Sequence, residues 1–425
     1  MPTAPAPAQL ETRVARIGSA LSQRLSRVIA AVPGAPSGPV RLARAIGVDK
    51  VLASRVLRAA ANRDPVAALK MMPGPEPLRR LNQAAAKHGV ARKLTADLDA
   101  AVKEFDDLIR NEAGDRSALD AMLAGWLPEA RGEFELRRKQ AAYRAMSQLK
   151  GASTDVLVAT VFVAPSKDSD ELLDLVWVMG LLGLQRLRPG AVIKFATRRL
   201  ATDKVTGLPR HPCALDGTPV DGFEGLRLDE FSSKPPASLT IHRVAEVMHY
   251  ALEQGAFGPS SATDLVFGEA NFGELPRYVP AENPRKRFVF AEVSTPAKKL
   301  IFDAFVHRDL RPATPTLCIY DTAFDGIANV NDAARDIDRM DLSESVQSLG
   351  EGIGRVRAAE VPWYGELLET VCQKLSWNGA DLMGWRTSIE YPIYGSQVVM
   401  SWDALVRTTT RTTSSSMTMS TVPPV

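Results

Sequence analysis

Gly151 divides this chain by the spacing of its apolar residues. Ahead of it, apolar positions recur every three or four residues, the period of one stripe along a helix. Behind it, short β-branched runs recur between turn residues, the pattern of strands. At 425 residues the chain is long enough for two or three domains. The change of period predicts a multidomain protein: an all-α N-terminal part, a helical connector, and an α+β C-terminal domain with a largely antiparallel sheet.

In the first part, Leu10, Val14, Ile17, Leu21, Leu25, Val28 and Val32 form one stripe on a long helix, which Pro33-Gly34-Ala35-Pro36 ends. Two short helices follow, joined at Gly47. Asp64-Pro65 opens another, with Pro65 suited to a first helical turn. Pro73-Gly74-Pro75 interrupts, and Glu76–His88 is the next helix. Leu98, Val102, Phe105 and Ile109 carry helical spacing up to Gly114, and Glu133–Leu149 reads as a connecting or dimer-forming helix. The expected organisation is a disordered Pro/Ala segment over 1–8, a helical domain over 9–94, a connector over 95–150 and the α+β domain over 151–407. The Thr/Ser/Pro-rich residues 408–425 are expected to be a disordered tail.

In the second part, Val156–Val163 reads as a buried strand. Leu172–Leu187 contains the most apolar stretch, Leu175–Leu184, and reads as a buried helix; it is too short to cross a bilayer, which takes about 20 residues. Strand-like runs follow at Val192–Thr197, Leu239–Val244, Val247–Leu252, Asp264–Phe267, Arg287–Val293, Leu300–His307 and Thr316–Tyr320. Another spans Ser388–Met400, interrupted by Pro392, and Glu366–Leu375 reads as a helix.

Charge is distributed as unevenly as period. Residues 1–95 hold 16 Lys and Arg against 4 Asp and Glu, a net +12. The remainder holds 36 against 45, a net −9. That split suggests a polyanion-binding head on an acidic body, with a solvated Arg-rich helical face as the plainer alternative. Cys213, Cys318 and Cys372 are scattered, with no paired spacing, which suits a reducing compartment. Met1–Ala8 has no basic start followed by an apolar run, so no secretory leader is expected. These features together predict a cytoplasmic protein without membrane contact.

The segment Pro39–Arg58, PVRLARAIGVDKVLASRVLR, carries the most specific signal. Two short helices that cross steeply need a small residue at the crossing, a left-handed-tolerant residue in the turn and apolar residues facing inward. Ala43 and Gly47 meet the first two needs. Leu42, Ile46, Val48, Ala53, Val56 and Leu57 meet the third. Asp49 stands where the second helix needs an N-cap, and Ser37 could cap the first. Over these roughly 20 residues the spacing of Leu42-Ala43, Ile46-Gly47-Val48 and Ala53-Ser54-Arg55-Val56-Leu57 resembles the helix-turn-helix of Lac-repressor-type regulators. The sugar-binding domain of that family, with its repeated strand-helix alternation, has no counterpart here. The chain as a whole resembles a group of bacterial proteins that implies no mechanism.

The resemblance implies a recognition helix from Asp49 to about Ala60, a transcription-regulator role and double-stranded DNA as partner. Lys50, Val51, Ser54 and Arg55 would then meet base edges, with Arg41, Arg44, Arg58 and Arg63 on phosphates. The C-terminal domain would serve for homodimerisation, for sensing a small-molecule effector or for contact with a partner. The alternatives are an enzyme with its active site in the C-terminal domain, and an adaptor using the helical head for protein contacts.

Other signals are weaker. His211-Pro212-Cys213 lacks the second ligand pair of a zinc site. The run Asp321, Asp325, Asn331, Asp332, Asp336 and Asp338 does not follow calcium-loop spacing, and Asn331–Met340 could instead be a helix with an acidic face. Gly350, Gly352 and Gly354 lack a strand-to-helix unit around them. His242 and His249 flank an expected hairpin turn. Glu269-Ala-Asn271 and Glu292-Val-Ser294 stand at strand ends, where polar side chains can line a pocket or satisfy nearby backbone groups. No catalytic residue, metal or cofactor is assigned.

Overall fold

The computed structural model describes residues 7–34, 38–199, 213–220, 222–244, 247–252 and 257–407. Two compact units divide the chain, Met1–Glu135 and Leu136–Val425. The division falls within the stretch expected as connector. Both expected disordered ends lie outside the described residues, apart from Pro7 and Ala8, which begin the first helix.

The first unit is helical: α1 (Pro7–Ala30), α2 (Pro39–Ile46), α3 (Lys50–Ala61), α4 (Pro65–Met71), α5 (Pro75–Lys87), α6 (Arg92–Leu108), a π-helical turn at Ile109–Ala113, α7 (Arg116–Trp126) and the start of α8 (Pro128–Lys150). The stripe of α1 is buried from Val14 to Val28, in one cluster with Leu69 of α4, and Val102 and Phe105 of α6. Gly18 is the point of closest approach: a Cβ there would stand 2.1 Å from the Pro65 carbonyl oxygen. Local sequence sets the helix starts. Pro39, Pro65 and Pro75 open α2, α4 and α5. The carboxylates of Asp49, Asp64 and Asp115 accept from backbone N–H groups in the first turns of α3, α4 and α7. Gly38 stands at the α2 N-cap without a side-chain bond, and Ser37 lies outside the described residues.

The second unit is built on strands: β1 (Ala152–Pro165), β2 (Leu172–Arg186), β3 (Ile193–Arg199), β4 (Thr240–Val244), β5 (Val247–Leu252), β6 (Thr263–Pro276) and β7 (Tyr278–Val279). Then come β8 (Lys286–Glu292), β9 (Ala297–His307), β10 (Thr316–Asp321), β11 (Gln347–Glu351), α9 (Tyr364–Leu375), β12 (Leu382–Glu390), β13 (Ser396–Asp403) and β14 (Leu405–Val406). The main sheet has the order β11-β12-β9-β1-β2-β6. Its pairs are antiparallel except β1 with β9, which run parallel. Side chains alternate between its faces, as strand geometry requires. Val158, Phe162, Ile301 and Phe305 share a cluster with Leu367, Leu368 and Val371 of α9. Leu157, Val161, Leu300 and Phe302 share the other with residues of the smaller sheets β3-β5-β4 and β10-β13-β8.

Three sequence expectations change here. Leu172–Leu187 is the strand β2, not a helix, and pairs with β1 on one edge and β6 on the other. It is a central strand with apolar groups on both faces, so its run is nearly continuous and periodicity cannot separate it from a buried helix. Ser388–Met400 is not one strand but parts of two, β12 and β13, in different sheets. The break holds Pro392 and Tyr391, whose φ is 51°. Within Asn331–Met340 only a 3-10 turn forms, at Ala333–Asp338.

Candidate functional site

Helices α2 and α3 meet through the turn Gly47–Asp49. Gly47 takes φ 68°, a left-handed conformation in which a side chain is disfavoured. The N–H of Val48 donates to the Ala43 carbonyl at 3.0 Å, closing the end of α2. The Asp49 carboxylate accepts from the N–H groups of Val51 and Leu52 at 3.1 and 3.2 Å, starting α3. Leu42, Ile46, Ala53 and Val56 are buried, while Ala43, Val48 and Leu57 are half-buried. On the other side, Lys50, Val51, Arg55 and Arg58 of α3 are exposed, as are Arg41 and Arg44 of α2 and Arg63 beyond α3; Ser54 is half-buried. Val51 is 64% exposed, an apolar group presented to solvent on the first turn of α3. Val40, not singled out from sequence, is exposed too.

Ion pairs hold several cations of the helical unit. Arg13 pairs with Glu112, Arg16 with Glu104, Arg79 with Asp106 and Arg116 with Asp120. The Arg79 guanidinium holds the Asp106 carboxyl below its ordinary value. Among the described residues, Arg44, Lys50, Arg55 and Arg58 have no acidic partner. Their positive charge is left facing outward.

The second unit contains a cavity of about 790 Å³. Its walls come from β1, β2 and β6 of the main sheet and from β3 and β8. Trp177 meets Phe290 edge-on with ring centroids 5.3 Å apart, and Phe195 stacks on Phe267 at 5.6 Å. Glu269, Asn271, Glu292 and Ser294, from the two polar strand-end segments of the sequence, line this one cavity. Desolvation pushes the Glu292 carboxyl above its ordinary value, and Lys194 partly offsets this. The carboxylate is reached by solvent inside a concavity walled by protein, which is how it can be both exposed and poorly solvated. Trp177 was hidden from sequence reasoning because its segment reads as a helix.

A buried polar group lies on the α9 side of the main sheet. Thr160, Asp303 and Arg386 sit in register on β1, β9 and β12. Arg386 donates Nε and Nη2 to the two oxygens of Asp303, each at 2.7 Å. The Tyr364 hydroxyl donates to Asp303 at 2.6 Å and lies 2.8 Å from Thr160 Oγ1. Burial raises the Asp303 carboxyl, and Arg386 and Tyr364 pull it back. The forked, doubly bonded geometry is that of a charge-assisted pair. Burial and the adjacent Asp303 charge push the Tyr364 hydroxyl well above its ordinary value, so it stays protonated and donates.

His242 and His249 are cross-strand partners, and His249 Nδ1 stands 3.3 Å from Thr197 Oγ1. His211 and Pro212 lie outside the described residues, and Cys213 is half-buried at the cavity. Among the described residues no three His, Cys, Asp or Glu are placed to hold a metal ion, the Asp321–Asp338 stretch included. Among the described residues no helix is long and apolar enough to cross a membrane. Gly352 and Gly354 follow β11 into a loop, and α9 starts only at Tyr364. Comparison with known protein families and with curated proteins finds no match for this chain.

Proposed function

We propose that the helical unit is a helix-turn-helix DNA-binding module and that the protein is a sequence-specific transcription regulator. The observation that carries this reading is the outward-facing cationic surface of Arg44, Lys50, Arg55 and Arg58, without acidic partners among the described residues, on two short helices joined by the Gly47–Asp49 turn. An α-helix with such a surface fits the major groove, whose guanine acceptors suit Lys50 or Arg55 and whose thymine methyls suit Val51. Ser54 faces the same groove, and Arg41, Arg44, Arg58 and Arg63 fall to phosphates, which supply affinity and salt dependence. A rigid turn supports the reading, because base readout needs the helix held at one angle to its neighbour. The C-terminal unit would bind an effector or a second copy. A symmetric dimer predicts half-sites about 34 Å apart or a multiple of that.

The test is selection of random duplex DNA on the full-length protein, with Lys50→Ala/Arg55→Ala as control. Recovery of one motif, lost in the control, supports the reading. An absence of enrichment together with salt-insensitive binding overturns it.

A further inference from the structure

We infer that the cavity of the C-terminal unit is a binding site for a small amine carried on an aromatic or aliphatic body. Its volume of about 790 Å³ lies in the usual range of small-molecule sites, about 300–1,000 Å³. Two properties of its wall specify the ligand class.

The wall is aromatic. Trp177, Phe195, Phe267 and Phe290 present ring faces and edges from β2, β3, β6 and β8, a surface that takes an apolar body and attracts a cation.

The wall carries a carboxylate, Glu292, on which Lys194 acts only at longer range, while Glu269 and Glu274 have partners of their own. Glu292 forms no ion pair there, and its carboxylate is incompletely solvated. An ammonium group restores to that carboxylate what the concavity withholds, through a charge-assisted hydrogen bond. A ligand carboxylate would meet like charge.

The site stands apart from DNA recognition. Only the idea that such an amine is the regulator's effector rests on the proposed function. Binding is therefore measured on the full-length protein without DNA, by calorimetry. Three matched probes are used: 2-(2-naphthyl)ethylamine, 2-(2-naphthyl)ethanol and 3-(2-naphthyl)propanoate. The amine is expected to bind roughly tenfold or more tightly than the alcohol, with no measurable binding of the acid. Glu292→Gln should remove the preference of amine over alcohol. Met179→Trp, which fills the cavity from β2 without touching a charge, should weaken amine and alcohol alike. Failure of the amine to bind, binding of the acid as tight as the amine, or an amine preference unchanged in Glu292→Gln each overturns the inference. Loss of DNA binding alone would leave it standing.

Discussion

Arg386 grips Asp303 with two parallel hydrogen bonds of 2.7 Å, at a position where their strands face each other directly and the carboxylate is fully buried. Neither residue lines the cavity, so the pair acts on the fold. Removing Arg386 leaves the Asp303 carboxylate buried without its cation, with the Tyr364 hydroxyl still donating to it. Arg386→Ala is expected to cost about 3–5 kcal/mol. Urea denaturation followed by tryptophan fluorescence, to which Trp385 on the neighbouring β12 position contributes, measures it. A loss below about 1 kcal/mol would mean that water replaces the guanidinium.

Tyr364→Phe probes the same group more gently. It deletes one donor to Asp303 and the contact with Thr160 without changing the ring. The expected cost is about 1–3 kcal/mol, smaller than that of Arg386→Ala. The order of the two denaturation midpoints is the check.

In the helical unit, Gly47→Ala should cost roughly 1–2 kcal/mol. Nothing lies within 4 Å of the added Cβ, so the penalty is purely conformational. Gly18→Ala should cost about 1–3 kcal/mol for the opposite reason. Its φ is ordinary, but the methyl meets the Pro65 carbonyl. Thermal melts of the two variants separate strain from helix propensity when Gly125→Ala, a helical substitution with open space around the new methyl, is melted beside them as a reference.

The DNA reading distinguishes two arginines. Arg55→Ala should relax base preference and cost about 1–3 kcal/mol, if the side chain makes a bidentate base contact. Arg44→Ala should weaken every sequence alike and reduce the salt slope by about one. Competition binding against a library of single-base variants, repeated across salt concentrations, reads both effects. An unchanged motif in Arg55→Ala would move the recognition surface elsewhere.

Glu292 sets a pH dependence. Its carboxyl is raised in the folded chain by desolvation, so the folded state holds the proton more tightly than the unfolded state. Stability contributed by this group therefore falls as pH rises from the ordinary carboxylate range through the raised value. Glu292→Gln should remove that fall and leave the variant relatively more stable at neutral pH than at about pH 4, near the ordinary carboxylate value. Urea midpoints of both proteins across that range test the sign.

Much of the helical unit is legible from residue chemistry alone. The α1 stripe, the Asp49 and Asp64 caps and the Gly47 turn all act within a few residues of themselves. The second unit resists such reading because its information is long-range. β2 looks helical until β1 and β6 are seen on its edges. Glu269 and Glu292 are each ordinary strand-end acids until β6 and β8 bring them to one cavity. Asp303 lies unremarked in the strand-like run Leu300–His307, and only register brings Arg386 beside it.

The parallel pairing of β1 with β9 also orders events in time. Val158 cannot meet Ile301 until the intervening strands have been made, and closing so long a loop is entropically costly. The helical unit closes over shorter spans, such as the 88 residues between Arg16 of α1 and Glu104 of α6. During synthesis it can fold while β9 is still absent. The apolar face of β1 and β2 must then wait exposed, which makes the main sheet, rather than the head, the part of the nascent chain most vulnerable to aggregation.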